Sequence, residues 1–355
     1  MSGTHKILIL GASYGSLLAT KLLLAGNDVT LVCLPQEAEL INREGVRVRM
    51  PLKDGGMVEI ASRDLPGRLE AAGPGDVDPS AYALIGLAMQ EPQYRSPGVR
   101  ELVAAIGRAK APAMSIMNMP PLPYLKRLPG LATGGLEAAY ADPSVWAPID
   151  PTYLTLCSPD PQAFRPQGEP LNLLQVSLPT NFKVSRFEKD EHTAVLRDLE
   201  AGIDAARWTV DGDAVELPVK LRVHDSIFVP LAKWAMLLTG NYRCVTPRGP
   251  RAIRDAVHSD IEASRAIYAW VREVCVALGA AERDLVPFEK YAAAANGLTS
   301  PSSAARALFA GAKAIERVDL LVQTIAAGRG MRNATLDETV GLVNERLELN
   351  RRDAA

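Results

Sequence analysis

The first 33 residues constrain this chain more than any other stretch. Lys6-Ile7-Leu8-Ile9-Leu10 is a run of β-formers, and Gly11 to Gly15 is a turn bounded by glycines. Ser16 to Ala25 is a helical stretch with apolar residues on most faces, stopped by Gly26-Asn27. Val29 to Cys33 is a second apolar run, closed by Pro35. Strand, helix and strand within about 30 residues form the parallel crossover unit. Both runs are continuously apolar, which predicts strands buried on both faces of a parallel sheet.

The same scheme continues. Val46 to Met50 alternates, Tyr82 to Leu87 is a further buried run, Pro97 to Lys110 reads as a helix and Ala113 to Met117 as a strand. Proline and glycine crowd residues 119–170, which predicts a loop-rich insertion. Leu171 to Val176 and Phe182 to Arg186 add strands, and Thr193 to Ala206 a helix. After Val219 helical spacing takes over, in Ser226 to Thr239, Ala252 to Leu278, Ser302 to Gly328 and Thr335 to Arg351. The expected class is α/β, with an N-terminal Rossmann-type parallel sheet domain over 1–218, carrying the insertion 119–170. A mostly α-helical domain follows over 219–355.

Composition removes several functions. A net charge of -2 over 355 residues gives no broad basic surface for nucleic acid. Cys33, Cys157, Cys244 and Cys275 are far apart, with no C-x-x-C, which argues against a disulfide framework or a cysteine zinc site. His5, His192, His224 and His258 include no close pair, so no metal site is expected. No apolar run is long enough to span a membrane, and no signal peptide is read at the N-terminus; the expected location is cytoplasmic.

The glycine turn carries the chemistry. Backbone N–H groups at a helix start bind phosphate, and glycines let the backbone approach a pyrophosphate. The usual spacing is G-x-G-x-x-G, whereas Gly11 and Gly15 lie four apart, with Ser13 or Tyr14 where the middle glycine would stand. A tight turn that binds nothing is the alternative. The expected dinucleotide contacts are Gly11, Ala12, Ser13, Tyr14, Gly15 and Ser16, with Leu34 after the second strand and Leu87 at the end of the 82–87 run. The residues after the second strand, Val32 to Gln36, hold neither the acid that marks NAD nor the Arg that marks NADP. Glu37 and Arg43 are expected to be solvated.

These residues resemble the ketopantoate reductase family, through Lys6 to Ala12, Gly15-Ser16-Leu17-Leu18-Ala19, Ala25 to Val32 and Asn42-Arg43-Glu44-Gly45-Val46. The second half agrees in outline, with Lys233-Trp234 on a helix and Ala277-Leu278-Gly279 ending another. The resemblance implies a Rossmann domain followed by a helical domain similar to that of 6-phosphogluconate dehydrogenases. It also implies NADP as cofactor, with NAD still open, and reduction of a 2-keto acid in the cleft between the domains. Asn118 matches the asparagine near the nicotinamide, and Glu316 with Asp319 stands near the family's glutamate motif. A lysine proton donor is implied, and Lys233 retains it with Asn241 at i+8. Anchoring the helix on Trp234 instead puts Met236 and Gly240 at the family's lysine and asparagine. The lysine after the fourth strand falls on Ala88.

These departures predict a keto or imino acid substrate other than ketopantoate. An opine-type dehydrogenase and a non-catalytic dinucleotide sensor are the alternatives. Each candidate also has a plain reading. Lys233 can snorkel from an apolar helix, Asn241 can cap it, and Glu316 can pair with Lys313 or Arg317 at a surface. His224-Asp225 could be an acid/base pair or lead into a helix cap, and Thr246 to Arg251 an anion site or a solvated turn. The expected partner is a small-molecule substrate, with a possible homodimer and neither nucleic acid nor membrane.

Overall fold

The computed structural model describes residues 4–52, 55–210 and 212–352. Two compact units emerge: Met1–Met89 with Gln93–Met117 and Val145–Ile227, and Gln90–Pro92 with Asn118–Ser144 and Phe228–Ala355. The segment 119–170, read from sequence as one insertion, is thus divided. Its first part packs with the helical unit, and its second part supplies strands to the sheet unit.

The first unit runs β1 (Lys6–Leu10), α1 (Ala12–Leu24), β2 (Asp28–Val32), α2 (Pro35–Glu44), β3 (Arg47–Pro51), β4 (Met57–Ala61), β5 (Leu69–Ala72), β6 (Leu84–Leu87), α3 (Val99–Ala109) and β7 (Ala113–Ile116). It resumes with β8 (Leu154–Ser158), β9 (Gln162–Phe164), β10 (Leu173–Leu178), β11 (Phe182–Ser185), α4 (Asp190–Ala205), the hairpin β12 (Trp208–Val210) and β13 (Asp213–Val215), and β14 (Leu221–His224). The main sheet orders β14-β11-β8-β7-β6-β1-β2-β5. From β5 to β8 all neighbours are parallel; β11 runs antiparallel to β8. The six parallel strands therefore follow the third-second-first-fourth-fifth-sixth order of a doubly wound fold. Burial of Ile7 to Leu10 explains their unbroken apolar run.

A second sheet, β4-β3-β10-β9, shares one apolar core with α1 and the main sheet. The core draws Leu17, Leu18 and Leu22 from α1, Val48 and Met50 from β3, and Leu174 and Val176 from β10. Every residue of α1 from Gly15 to Leu24 is consequently buried, Lys21 included. A helix apolar on all sides belongs inside a protein. Nζ of Lys21 donates to the carbonyls of Leu217 (3.1 Å) and Pro218 (3.0 Å). Burial, with Lys220 adding to it, pulls the ammonium down to about 7.

The helix begins at Ala12 rather than Ser16. Gly11 alone makes the turn, with φ 101° and its N–H on Val32 O at 2.9 Å, so Ala12 to Tyr14 already form the first helical turn.

The second unit holds α5 (Ile253–His258), α6 (Ile261–Ala277), α7 (Phe288–Ala295), α8 (Ser303–Phe309), α9 (Val318–Ala327) and α10 (Ala334–Arg352). The spacing from Ala252 to Leu278 predicted one helix, yet Asp260 leaves helical geometry and caps α6, its side chain accepting Ala263 N–H at 2.9 Å. Ser302 to Gly328 likewise breaks, leaving a stretch before α9 that carries Glu316. The 226–239 reading also changes. Val229–Ala232 is a 3-10 turn, Lys233–Met236 is α, Leu237–Asn241 is a π-turn and Tyr242–Cys244 is 3-10 again. Tyr291 Oη donates to Met236 O at 3.0 Å and lies where a Cβ on Gly240 would sit, 2.0 Å away. A glycine is therefore required within the π-turn.

Candidate functional site

The start of α1 is built to leave its donors open. The first four N–H groups of a helix lack intrahelical partners. Gly11 has no side chain to cap them, and no acid stands in the first turn. Ser13 is exposed there, whereas Ser16 turns inward and its hydroxyl donates to Ala12 O. Both glycines do steric work despite the short spacing. A Cβ on Gly11 would lie 2.6 Å from Met89 Cγ and 2.9 Å from Ala88 O. One on Gly15 would lie 2.6 Å from Ile9 Cγ2, so Gly15 lets α1 pack tightly on β1.

Two of the expected contacts are core groups in their side chains. Tyr14 donates its hydroxyl to Pro161 O at 2.7 Å and meets Phe182 edge-on at 5.9 Å. Burial pushes that phenol well up, so Tyr14 keeps only its backbone N–H at the helix start. Leu87 is wholly buried within β6. Leu34, by contrast, is 74% exposed beyond the end of β2.

That same end carries a pair the sequence reading missed. Glu37, in the first turn of α2, is buried rather than solvated and forms an ion pair with Arg165. Arg165 directly follows β9, which is an edge strand of the second sheet. Burial and the Glu37 carboxylate push the nearby Cys33 thiol up to about 12, with Arg165 opposing. No local pattern links residues 128 apart. Arg43 pairs instead with Glu44 at the surface.

In the second unit, Glu316 meets Asn118, and the charge of Lys233 acts on it. Glu316 is buried, and its Oε1 accepts the Glu91 N–H at 3.3 Å. Its Oε2 accepts from Asn118 Nδ2 at 3.3 Å. Burial raises the carboxyl to about 7; Asn118, the Glu91 N–H and the charge of Lys233 pull the other way, and the Glu91 carboxylate adds to the rise. Oδ1 of Asn118 is buried and has no hydrogen-bond partner. Tyr242 fixes the backbone here, its hydroxyl donating to Glu316 O and accepting from Val318 N at 3.0 Å. Arg317 pairs with Asp319 through two 2.9 Å bonds, both residues buried, so Glu316 does not pair at a surface. Glu91, 2% exposed, accepts the Ala141 N–H on both carboxylate oxygens.

Glu91 and Tyr242 were missed as well. Glu91 lies just past a strand end, a position where an acid could have drawn notice. Asn241 ends the π-turn, so its register to Lys233 is not that of a regular helix, and its carbonyl accepts from Ser302 Oγ at 2.7 Å. His224 ends the edge strand β14, and Asp225 pairs with Arg197 at 3.0 Å rather than with His224. Thr246 and Gly249 form a small hairpin, with Arg251 Nε on Arg243 O. No disulfide joins the four cysteines, and no group of three His, Cys, Asp or Glu stands ready for a metal among the described residues. Nor is any described helix long and apolar enough to cross a membrane.

No protein-family model matches the sequence, and no curated protein matches it. Solved structures do match along nearly the whole chain. A D-mandelate dehydrogenase with NADH and anilino(oxo)acetate has a TM-score of 0.65 at 14% identity, over 98% of this chain and 99% of that one. A 2-dehydropantoate 2-reductase from Methylococcus capsulatus gives 0.63 at 15%, over 97% and 96%. A dimeric ketopantoate reductase from Staphylococcus aureus gives 0.60 at 9%, over 97% and 99%. The chain thus has the ketopantoate reductase fold, a Rossmann-type sheet followed by a mostly helical part, and is a divergent instance of it.

Proposed function

We propose that this protein is a nicotinamide-dependent oxidoreductase that reduces a keto or imino acid other than ketopantoate, with NADPH as the expected donor. The observation that carries the reading is the buried Glu316, joined to Asn118 and within electrostatic reach of Lys233. A carboxyl poised at about 7 can hold or release a proton under working conditions.

The residues fit a dinucleotide. The uncapped start of α1 suits a pyrophosphate, through the backbone of Ala12, Ser13 and Tyr14. The orphaned Oδ1 of Asn118 suits the carboxamide N–H of a nicotinamide. The bound cofactor supplies the hydride to the carbonyl carbon. Lys233 then gives a proton to the oxygen as negative charge develops there. The Glu316 carboxyl, within electrostatic reach of Lys233, is assigned to resupply that proton. Asn241 is assigned to hold the substrate from the end of the π-turn, a device common at functional positions. Pro/Gly-rich 119–144 shapes the substrate pocket, and the assembly is a homodimer.

Titration with NADPH and NADH, followed through the melting temperature, tests the cofactor. A screen of 2-keto acids with and without amines tests the reaction. Saturable binding with turnover of at least one acid is expected. No shift with either dinucleotide overturns the reading, and binding without turnover of any acid leaves a sensor module.

A further inference from the structure

We propose, building on the reductase site above, that Glu91 is a positioning residue that ties the Glu316 carboxyl to the segment 118–144. Two contacts show how it acts. Its N–H donates to Glu316 Oε1 at 3.3 Å. Its carboxylate oxygens accept the Ala141 N–H at 3.2 and 3.1 Å.

The segment is thus pinned at both ends beside one carboxyl. Asn118 opens it and donates to Glu316 Oε2 at 3.3 Å. Ala141, near its close, is held by Glu91. Between them the Tyr140 hydroxyl donates to Pro120 O at 2.5 Å and closes the neck. Leu122, Tyr124, Leu125 and Leu136, inside the closed stretch, are buried. Each oxygen of Glu316 therefore has one N–H donor, and both donors are set by this segment or its anchor.

The acid does two separable things. Holding Ala141 needs an acceptor, which the amide oxygen of a glutamine also supplies. A carboxylate adds a charge, and a like charge beside a carboxyl favours its protonated form. Glu91 acts on Glu316 in this sense, and on the Tyr140 phenol as well. Lys233 opposes it, Tyr242 reaches the Glu316 carbonyl, and Arg317 is paired with Asp319. The charge of Glu91 thus helps to keep a proton on Glu316, while its oxygens hold the segment assigned to the substrate pocket.

The test uses the whole protein. Hydrogen exchange reads the Ala141 amide, and an infrared titration reads the Glu316 carboxyl, identified by its loss in Glu316→Gln; neither needs turnover. Glu91→Gln is expected to move the Glu316 titration below 7 and to leave Ala141 exchange within about twofold, since an acceptor remains. With a 2-keto acid that the chain reduces, the alkaline limb of kcat/KM should move to lower pH as well. Glu91→Ala is expected to speed Ala141 exchange about tenfold or more, the scale of a lost hydrogen bond to a charged acceptor, and to raise KM. An unmoved Glu316 titration in Glu91→Gln leaves Glu91 a loop anchor only and overturns the proposal. So does a Glu91→Gln chain that frees Ala141 as fully as Glu91→Ala. If no carboxyl titrates near 7 in the unaltered protein, the reading of Glu316 beneath the proposal falls with it.

Discussion

The side-chain amide of Asn118 donates to Oε2 of Glu316 at 3.3 Å, across 198 residues of sequence. That bond favours the ionised carboxyl and so holds its pKa down against burial. Asn118→Ala should therefore move the Glu316 titration above 7. The check is the pH dependence of kcat/KM, together with an infrared titration of the carboxyl that needs no turnover.

Glu316 also sets a stability window. Its folded pKa of about 7 lies above the ordinary 4.5, so between those values the folded chain holds more protons than the unfolded one. The favourable contribution is complete below pH 4.5 and is lost as pH rises through 7. Glu316→Gln should flatten this limb and gain roughly 2 kcal/mol at pH 8, after one lost hydrogen bond is discounted. Urea denaturation at pH 5 and pH 8 reads the difference.

Lys21 works with the opposite sign, over a different range. Its folded pKa of about 7 lies below the ordinary 10.5, so the unfolded chain holds more protons between them. Stability should rise as pH climbs through that range. Lys21→Met should remove the slope, with its largest effect on the melting temperature below pH 7.

Lys233→Ala should lower kcat by about 10²–10⁴-fold, the range for a lost general acid. Dinucleotide affinity should stay within about twofold, since Lys233 is assigned to the substrate oxygen. Unchanged turnover on the true substrate would remove Lys233 from the mechanism.

Gly240→Ala places a Cβ against Tyr291 Oη. Overpacking of this kind costs about 1–3 kcal/mol. Tyr291→Phe removes the opposing oxygen, so the double variant should lose less than the two single losses combined. Thermal denaturation of all four forms completes the cycle.

The sheet unit was legible because its signals are local. Lys6 to Leu10 and Val29 to Cys33 show their burial in a few residues, and Gly11 shows its turn. The start of α1 was misplaced because Ser13 and Tyr14 read as turn residues, although Gly11 makes the turn alone. Glu316, Asn118 and Lys233 reached the candidate set through resemblance; the fold bonds Asn118 to Glu316 and sets Lys233 within electrostatic reach. Tyr242 and Arg165 were invisible because each acts across tens to hundreds of residues, and Glu91 showed only its place past a strand end. The π-turn was hidden because Tyr291, which packs against Gly240 within it, lies on another helix.

The burial of α1 on every side has a consequence during synthesis. Its covering strand β10 and the carbonyls that hold Lys21 come late, Leu217 being 196 residues downstream. At about 5–20 residues per second the helix waits roughly 10–40 s with apolar sides bare. Until β14, the last strand of the sheet, has emerged, those apolar sides lack part of the unit that covers them.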